Sequence, residues 1–117
     1  MKDFRKLKVW EKAHQLTLEI YKVTEKFPRE ELYGLISQIR RASVSIPTNI
    51  AEGCVRSSDA DFARFLYIAL GSISELEYLI LLSKGLKFIK SELYIELNNE
   101  INEVKKMLIL LIQKLKA

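Results

Sequence analysis

The chain has 117 residues, of which 49% are apolar and 29% charged, with a formal net charge of +4, four glycines and two prolines. That length supports one hydrophobic core and not two, so residues 1–117 are expected to form a single domain, and the balance excludes a disordered or glycine-rich chain. A lone cysteine, Cys54, excludes an internal disulfide, no apolar run exceeds six residues against the ~18 to 20 needed to cross a bilayer, and Lys2, Asp3, Arg5 and Lys6 stand where an apolar leader would; the expectation is a cytoplasmic protein without a membrane partner.

Four segments follow, each with apolar residues in alternating steps of three and four, the period of one helix face. Val9, Ala13, Leu16, Ile20, Val23 and Phe27 define a first helix over about residues 7–26, stopped by Pro28. Leu32, Leu35, Ile39, Ala42, Ile46 and Ile50 define a second, near 30–53, with Arg29 to Glu31 at its start and Gly53 as its stop. Ser58, with Asp61 three residues on, has the spacing of an N-cap for a third helix near 59–84 carrying Phe62, Leu66, Ala69, Ile73, Leu76 and Ile80, closed by Gly85. Ser91 is the expected N-cap of a fourth, near 91–115, carrying Leu97, Ile101, Val104, Leu108, Leu111 and Leu115. Short joints between long helices predict an all-α, antiparallel, up-down-up-down four-helix bundle.

Two features depart from the simple pattern. Pro47 lies inside the second helix, where it removes the amide that would bond the Ser43 carbonyl, so a kink or break is expected there. Around it Gln38, Arg41, Ser45, Asn49 and Glu52 form a polar stripe of their own. In the third helix Ala69, Gly71, Ser72 and Ser74 crowd small side chains mid-helix, at a glycine cost of ~1 kcal/mol relative to alanine, which implies close approach by a neighbouring element. Ser45, Pro47, Asn49, Glu52, Gly71, Ser72 and Glu75 are therefore the candidate patch for helix packing or for contact between subunits.

The chemistry-bearing residues point to binding and not to catalysis. Glu11 and His14 make one Glu-x-x-His pair, but His14 is the sole histidine, so the second pair that a di-iron bundle needs is missing; no glycine-rich phosphate loop occurs, and Cys54 has no partner base. No cofactor or metal is expected. The basic side chains Arg40, Arg56, Arg64, Lys105 and Lys106 are the principal candidate phosphate contacts for RNA or DNA, within a wider set that adds Lys2, Arg5, Lys6, Lys8, Arg41, Lys114 and Lys116, and without a base-reading motif such contacts would be to backbone and shape.

The run Gln38, Arg40, Arg41, Ala42, Ser45, Ile46, Pro47, Asn49, Ile50, Ala51, Glu52, Gly53 and Arg56 resembles the signature of the 23S rRNA intervening-sequence protein family. Val9, Trp10, Ala13, Tyr21, Phe27 and Pro28 look like that family's first helix, and Ala69, Gly71, Ser72, Glu75 and Leu76 like its third. The resemblance implies a bacterial four-helix bundle of unknown function that assembles into a homopentamer and is not an enzyme. A related protein, the accessory variability protein of diversity-generating retroelements, implies nucleic acid and a reverse transcriptase as partners. The sequence reading is thus a homo-oligomeric, nucleic-acid-associated adaptor, or alternatively a homo-oligomeric scaffold that recruits a protein. Five copies would concentrate about +20 on one ring.

Overall fold

A computed structural model describes residues 2–117, and among them there is no strand. Four helices account for most of the chain: α1 (Lys8–Thr24), α2 (Leu35–Cys54), α3 (Asp59–Gly85) and α4 (Ser91–Lys116), with short 3-10 turns at Phe4–Lys6 and Arg29–Glu31. They form a four-helix bundle measuring 43 × 24 × 20 Å. Each helix packs on its neighbours in sequence, and α1 closes the bundle against α4.

The cross-helix contacts pair rising numbers on one helix with falling numbers on the next. Thr17 meets Ser43 and Thr24 meets Arg40; Ser45 meets Ser72 where Gly53 meets Phe62; Tyr67 meets Lys116 and Glu77 meets Lys105. The apolar stripes supply the core, with Leu16, Ile20, Ile39, Ile46, Ile50, Leu66, Ile73, Leu76, Ile80, Leu97, Ile101 and Leu108 fully buried. The stripes shift off the core in places. Leu32 is exposed because α2 starts after it, and near the end of α4 Ile112 is buried while Leu111 and Leu115 are only partly covered. A strict alternation of three and four averages 3.5 residues, so it drifts off a 3.6-residue helix over several turns.

The helix ends show which local signals hold. Ser58 Oγ accepts the Asp61 amide at 3.1 Å, as an N-cap does, and Asp59 and Asp61 lie in the first turn of α3. α2 begins five residues later than expected: Arg29–Glu31 form a separate 3-10 turn, and Glu31 reaches forward so that its Oε1 accepts the Leu35 amide at 3.2 Å. Ser91 is not the N-cap of α4. Lys90 occupies that position, its carbonyl accepting the Tyr94 amide at 3.0 Å, which makes Ser91 the first helical residue. Nor does Gly85 supply the turn that ends α3. The left-handed residue is Lys87 at φ 67°, where the Phe88 amide bonds the Ser83 carbonyl and the Lys87 amide bonds that of Lys84, both at 2.9 Å. Phe88 then packs on Phe27, with ring centroids 5.4 Å apart.

Pro47 does not break α2, which runs from Leu35 to Cys54 through it. The carbonyl that it orphans, that of Ser43, lies 3.0 Å from the Thr17 hydroxyl on α1, which also reaches the Ala13 carbonyl of its own helix at 2.9 Å. The single hydroxyl proton is shared between the two carbonyls, so the lost intrahelical bond is answered in part from the neighbouring helix, and Pro47 is buried on the α1 side.

Gly53 has a different task from the helix stop expected of it, since α2 continues through it to Cys54. A Cβ there would sit 2.8 Å from Phe62 Cδ1 and 3.0 Å from Phe65 Cβ, so glycine is what lets the end of α2 close on the start of α3. At Gly85 a Cβ would meet nothing within 4 Å. Gly53→Ala is expected to lower Tm by several degrees, because an overpacking cost of about 1–3 kcal/mol exceeds the helix-propensity gain. Gly85→Ala is expected to leave Tm equal or raised. Thermal melts followed by circular dichroism check both, and equal responses at the two sites would contradict the packing argument.

Candidate nucleic-acid interface

One end of the bundle collects cations from three parts of the chain. The N-terminal segment is tied down where the Lys2 amide donates to the Cys54 carbonyl at 3.0 Å and where Asp3 Oδ1 accepts the Arg5 amide at 3.0 Å. This brings Lys2, Arg5 and Lys6 beside the joint between α2 and α3. Arg56 lies over the Phe65 ring at 4.3 Å, and Arg64 lies over the same ring at 4.7 Å while pairing with Asp61 at 3.0 Å. The last turn of α4 adds Lys114 and Lys116, the latter donating to the Tyr67 hydroxyl at 3.0 Å.

Seven cationic side chains (Lys2, Arg5, Lys6, Arg56, Arg64, Lys114 and Lys116) thus face three carboxylates, Asp3, Asp59 and Asp61, and the excess of four equals the formal net charge of the whole chain. The rest of the molecule is balanced. Stacking on Phe65 holds the Arg56 and Arg64 guanidinium groups at the surface without removing their charge. Of the five principal basic candidates, Arg56 and Arg64 lie at this end; Lys2, Arg5, Lys6, Lys114 and Lys116, from the wider candidate set near the chain's two termini, complete it.

The other three principal candidates lie elsewhere. Arg40 does not project freely outward: its Nε donates to Thr24 Oγ1 at 2.9 Å, its guanidinium reaches the Tyr21 carbonyl at 3.2 Å, and it stacks on the Tyr21 ring at 4.5 Å. It therefore closes the C-terminal carbonyls of α1, where a cation is favoured. Lys105 is half-buried on Glu77 at 2.5 Å, across the α3–α4 seam, and only Lys106, its neighbour, is exposed.

The packing patch also divides. Ser45, Asn49 and Ser72 form one chain of hydrogen bonds, from Asn49 Nδ2 to Ser45 Oγ at 3.0 Å and from Ser45 Oγ to Ser72 Oγ at 2.8 Å. Glu75 lies beside them in a hollow of about 420 Å³ shared with Gln38 and Arg41. Pro47 is turned away toward α1, and Glu52, one turn beyond Asn49, lines the groove along α2 with Ser45 and Asn49 and borders the Pro47 side as well. Ala69 and Ser72 of the small-residue stretch pack within the bundle, Ser72 on Ser45 of α2, but Gly71 faces solvent, where an added Cβ would meet nothing within 4 Å, so its close approach is not made within the chain. Cys54 is buried, and burial raises its thiol above the usual range against an opposing effect of Lys2. His14 stacks on Trp10 with centroids 4.9 Å apart.

α3 is long and apolar enough to cross a membrane by composition, with mean hydropathy 1.6 over its most apolar 18 residues. Its inner face, Phe62, Leu66, Ala69, Ile73, Leu76 and Ile80, is buried in the bundle, as a core helix requires. Its outer face keeps Ile68, Tyr78 and Leu81 exposed.

The fold and this charged end define an all-α four-helix bundle with a polar asymmetry along its axis. The chain matches the sequence profile of the 23S rRNA-intervening sequence protein family over residues 5–110, and it belongs to that family. A crystal structure of a protein of unknown function from the S23 ribosomal protein family of Bacteroides thetaiotaomicron is 32% identical, with a TM-score of 0.83 over 90% of this chain and 95% of that one. No curated protein matches the chain.

One carboxyl on the flank is out of its ordinary range. Burial, then a hydrogen bond with Glu19 and the charges of Glu19 and Glu96, push Glu100 from 4.5 up to about 7, with Lys12 opposing. Beside it Lys12 bridges to Glu103 at 2.7 Å across the α1–α4 seam, and that partner holds the ammonium above its ordinary value. A carboxyl raised on folding stabilises the fold fully below its unfolded value and loses that contribution as pH climbs through the folded one. Glu100→Gln is therefore expected to raise Tm at pH 8 by a few degrees, about 1 kcal/mol after allowing for solvent screening, with the gain vanishing toward pH 5. Melting curves across pH 5–8 check this, and a pH-independent difference would contradict it.

Proposed function

We propose that this protein is a non-enzymatic, self-assembling bundle whose basic end holds the phosphate backbone of RNA or DNA. The observation that carries the reading is the gathering of the chain's entire net charge at one end, with two arginines fixed there on a shared aromatic ring. Lysine and arginine side chains so placed neutralise phosphates, and binding by counterion release needs no base-specific contact. The family's name, which refers to an rRNA intervening sequence, fits the same partner class.

Self-assembly is supported by the outer face of α3. A helix that is apolar on its inner face usually turns charge to solvent, yet this one presents Ile68, Gly71, Tyr78 and Leu81, with Glu75 as the sole charge among them. A second copy covering that face would align several basic ends in one assembly, in keeping with the pentamer that the family resemblance implies, and would strengthen attraction to a polyanion by multiplying the local field. The scaffold alternative is favoured by a different surface, a groove of about 740 Å³ along α2 where Tyr21, Leu32, Tyr33 and Val44 are exposed, Tyr33 by 94%; an aromatic-rimmed groove of this kind suits a protein partner.

Light scattering at micromolar concentration, followed by RNA and DNA binding across a salt series, tests the reading. An assembly that engages five or six phosphates should lose affinity roughly a thousandfold between 50 and 200 mM salt. Joint replacement of Arg56 and Arg64 by Ala should flatten that dependence and leave Tm nearly unchanged. Arg40→Ala should do the reverse, keeping the salt slope and lowering Tm, because it strips about 1–2 kcal/mol of hydrogen bonding from the end of α1. Absence of binding at low salt would overturn the nucleic-acid reading and leave the scaffold one.

A further inference from the structure

At the basic end the surface is not flat. Between the first turns of α3 and the last turn of α4 lies a hollow of about 510 Å³, lined by Asp59, Ala60, Ala63, Arg64, Tyr67, Leu115 and Lys116. Its walls are small and apolar, Ala60 and Ala63 on α3 and Leu115 on α4, and one side is the ring of Tyr67, which is 48% exposed. Its rim is cationic: Lys116 Nζ lies 5.4 Å from the Tyr67 centroid and donates to its hydroxyl, and Arg64 stands one turn before Tyr67 on α3.

A phosphate alone has no use for an apolar hollow with an aromatic wall, and a purely apolar ligand has no use for a cationic rim. A nucleotide uses both, because its base has a flat π-face that stacks on tyrosine while its phosphate seeks a cation. We propose that this hollow takes one unpaired base of a single-stranded nucleic acid, stacked on Tyr67, with the adjoining phosphates on Lys116 and Arg64. The inference rests on the reading that the basic end binds nucleic acid, and it adds a preference for single strands. A base within a duplex is stacked and paired, so its face is unavailable to the ring. Lys116, carried on a flexible stem, moves from the ring to the phosphate as the base enters. Asp59 repels phosphate, which places the backbone on the Lys116 side, and its carboxylate can accept a hydrogen bond from an exocyclic amino group of the base.

The test uses the full chain and a fluorescently labelled oligonucleotide presented either as a single strand or as the same sequence in a duplex, at one salt concentration. The single strand is expected to bind about tenfold more tightly, and Tyr67→Ala to remove that advantage, weakening the single strand about tenfold while leaving the duplex unchanged. Tyr67→Phe should keep the advantage, since the ring does the stacking. Ala60→Leu, which fills the hollow without touching the ring, should remove it, and far-ultraviolet circular dichroism confirms that each variant is folded. Equal binding of the two forms, or equal loss for both on Tyr67→Ala, overturns the base hollow while leaving the basic-end reading intact provided that joint loss of Arg56 and Arg64 weakens both. Failure of both forms to bind at low salt overturns the two together.

Discussion

A proline in the middle of a buried helix leaves a carbonyl without its donor, and in this bundle that carbonyl is satisfied by a side chain from another helix. Pro47 has no amide to offer Ser43, and the Thr17 hydroxyl, 3.0 Å away on α1, stands in its place. An unmet buried carbonyl costs about 1–3 kcal/mol, so the proline makes α2 depend on α1 at one defined register. Arg40 repeats the arrangement in the opposite direction one turn earlier on α2, closing the carbonyl end of α1 from its own helix. The two helices thus complete each other's hydrogen bonding, and their relative position is fixed by polar geometry as well as by the packing of Leu16, Ile20, Ile39 and Ile46.

That fixed pair carries the rest outward. With α2 held, Gly53 lets its end close on Phe62 and Phe65 at the start of α3, and the same two aromatic residues organise the basic end: Phe65 is the platform for Arg56 and Arg64, and Lys2 approaches the Phe62 ring at 6.0 Å. A glycine needed for packing is therefore also what brings the cations of the α2–α3 joint near the N-terminal segment. The charge is concentrated by helix packing and not by a basic run in the sequence.

The four helices were legible because each apolar stripe is long enough for its period to be unambiguous, and the Ser58 cap because its partner lies three residues away. Signals that needed tertiary context misled. Gly85 and Ser91 do mark where α3 ends and α4 begins, yet the left-handed turn falls on Lys87 and the N-cap on Lys90, one or two residues off. Pro47 reads as a kink or break, and the helix nonetheless runs on through it because of a hydroxyl on α1 that no sequence shows. Arg40 and Lys105 read as free cations because charge is visible in a sequence and its use is not: one caps a helix and the other pairs with Glu77. Every member of the basic end is legible as a candidate contact, but that residues 2–6, 56–64 and 114–116 share one surface is not, because the fold alone brings them together.

The hydroxyl that answers Pro47 is the feature on which the register of α1 and α2, and through it the geometry of the basic end, depends. A double-mutant cycle of Thr17→Val and Pro47→Ala, read by urea unfolding, measures it most directly. Thr17→Val keeps the shape of the side chain and orphans the Ser43 carbonyl, so it should cost about 1–3 kcal/mol in the native background. Pro47→Ala restores the amide in the helix, and in that background the same change should cost about 1 kcal/mol less. Strictly additive effects of the two substitutions would contradict the account.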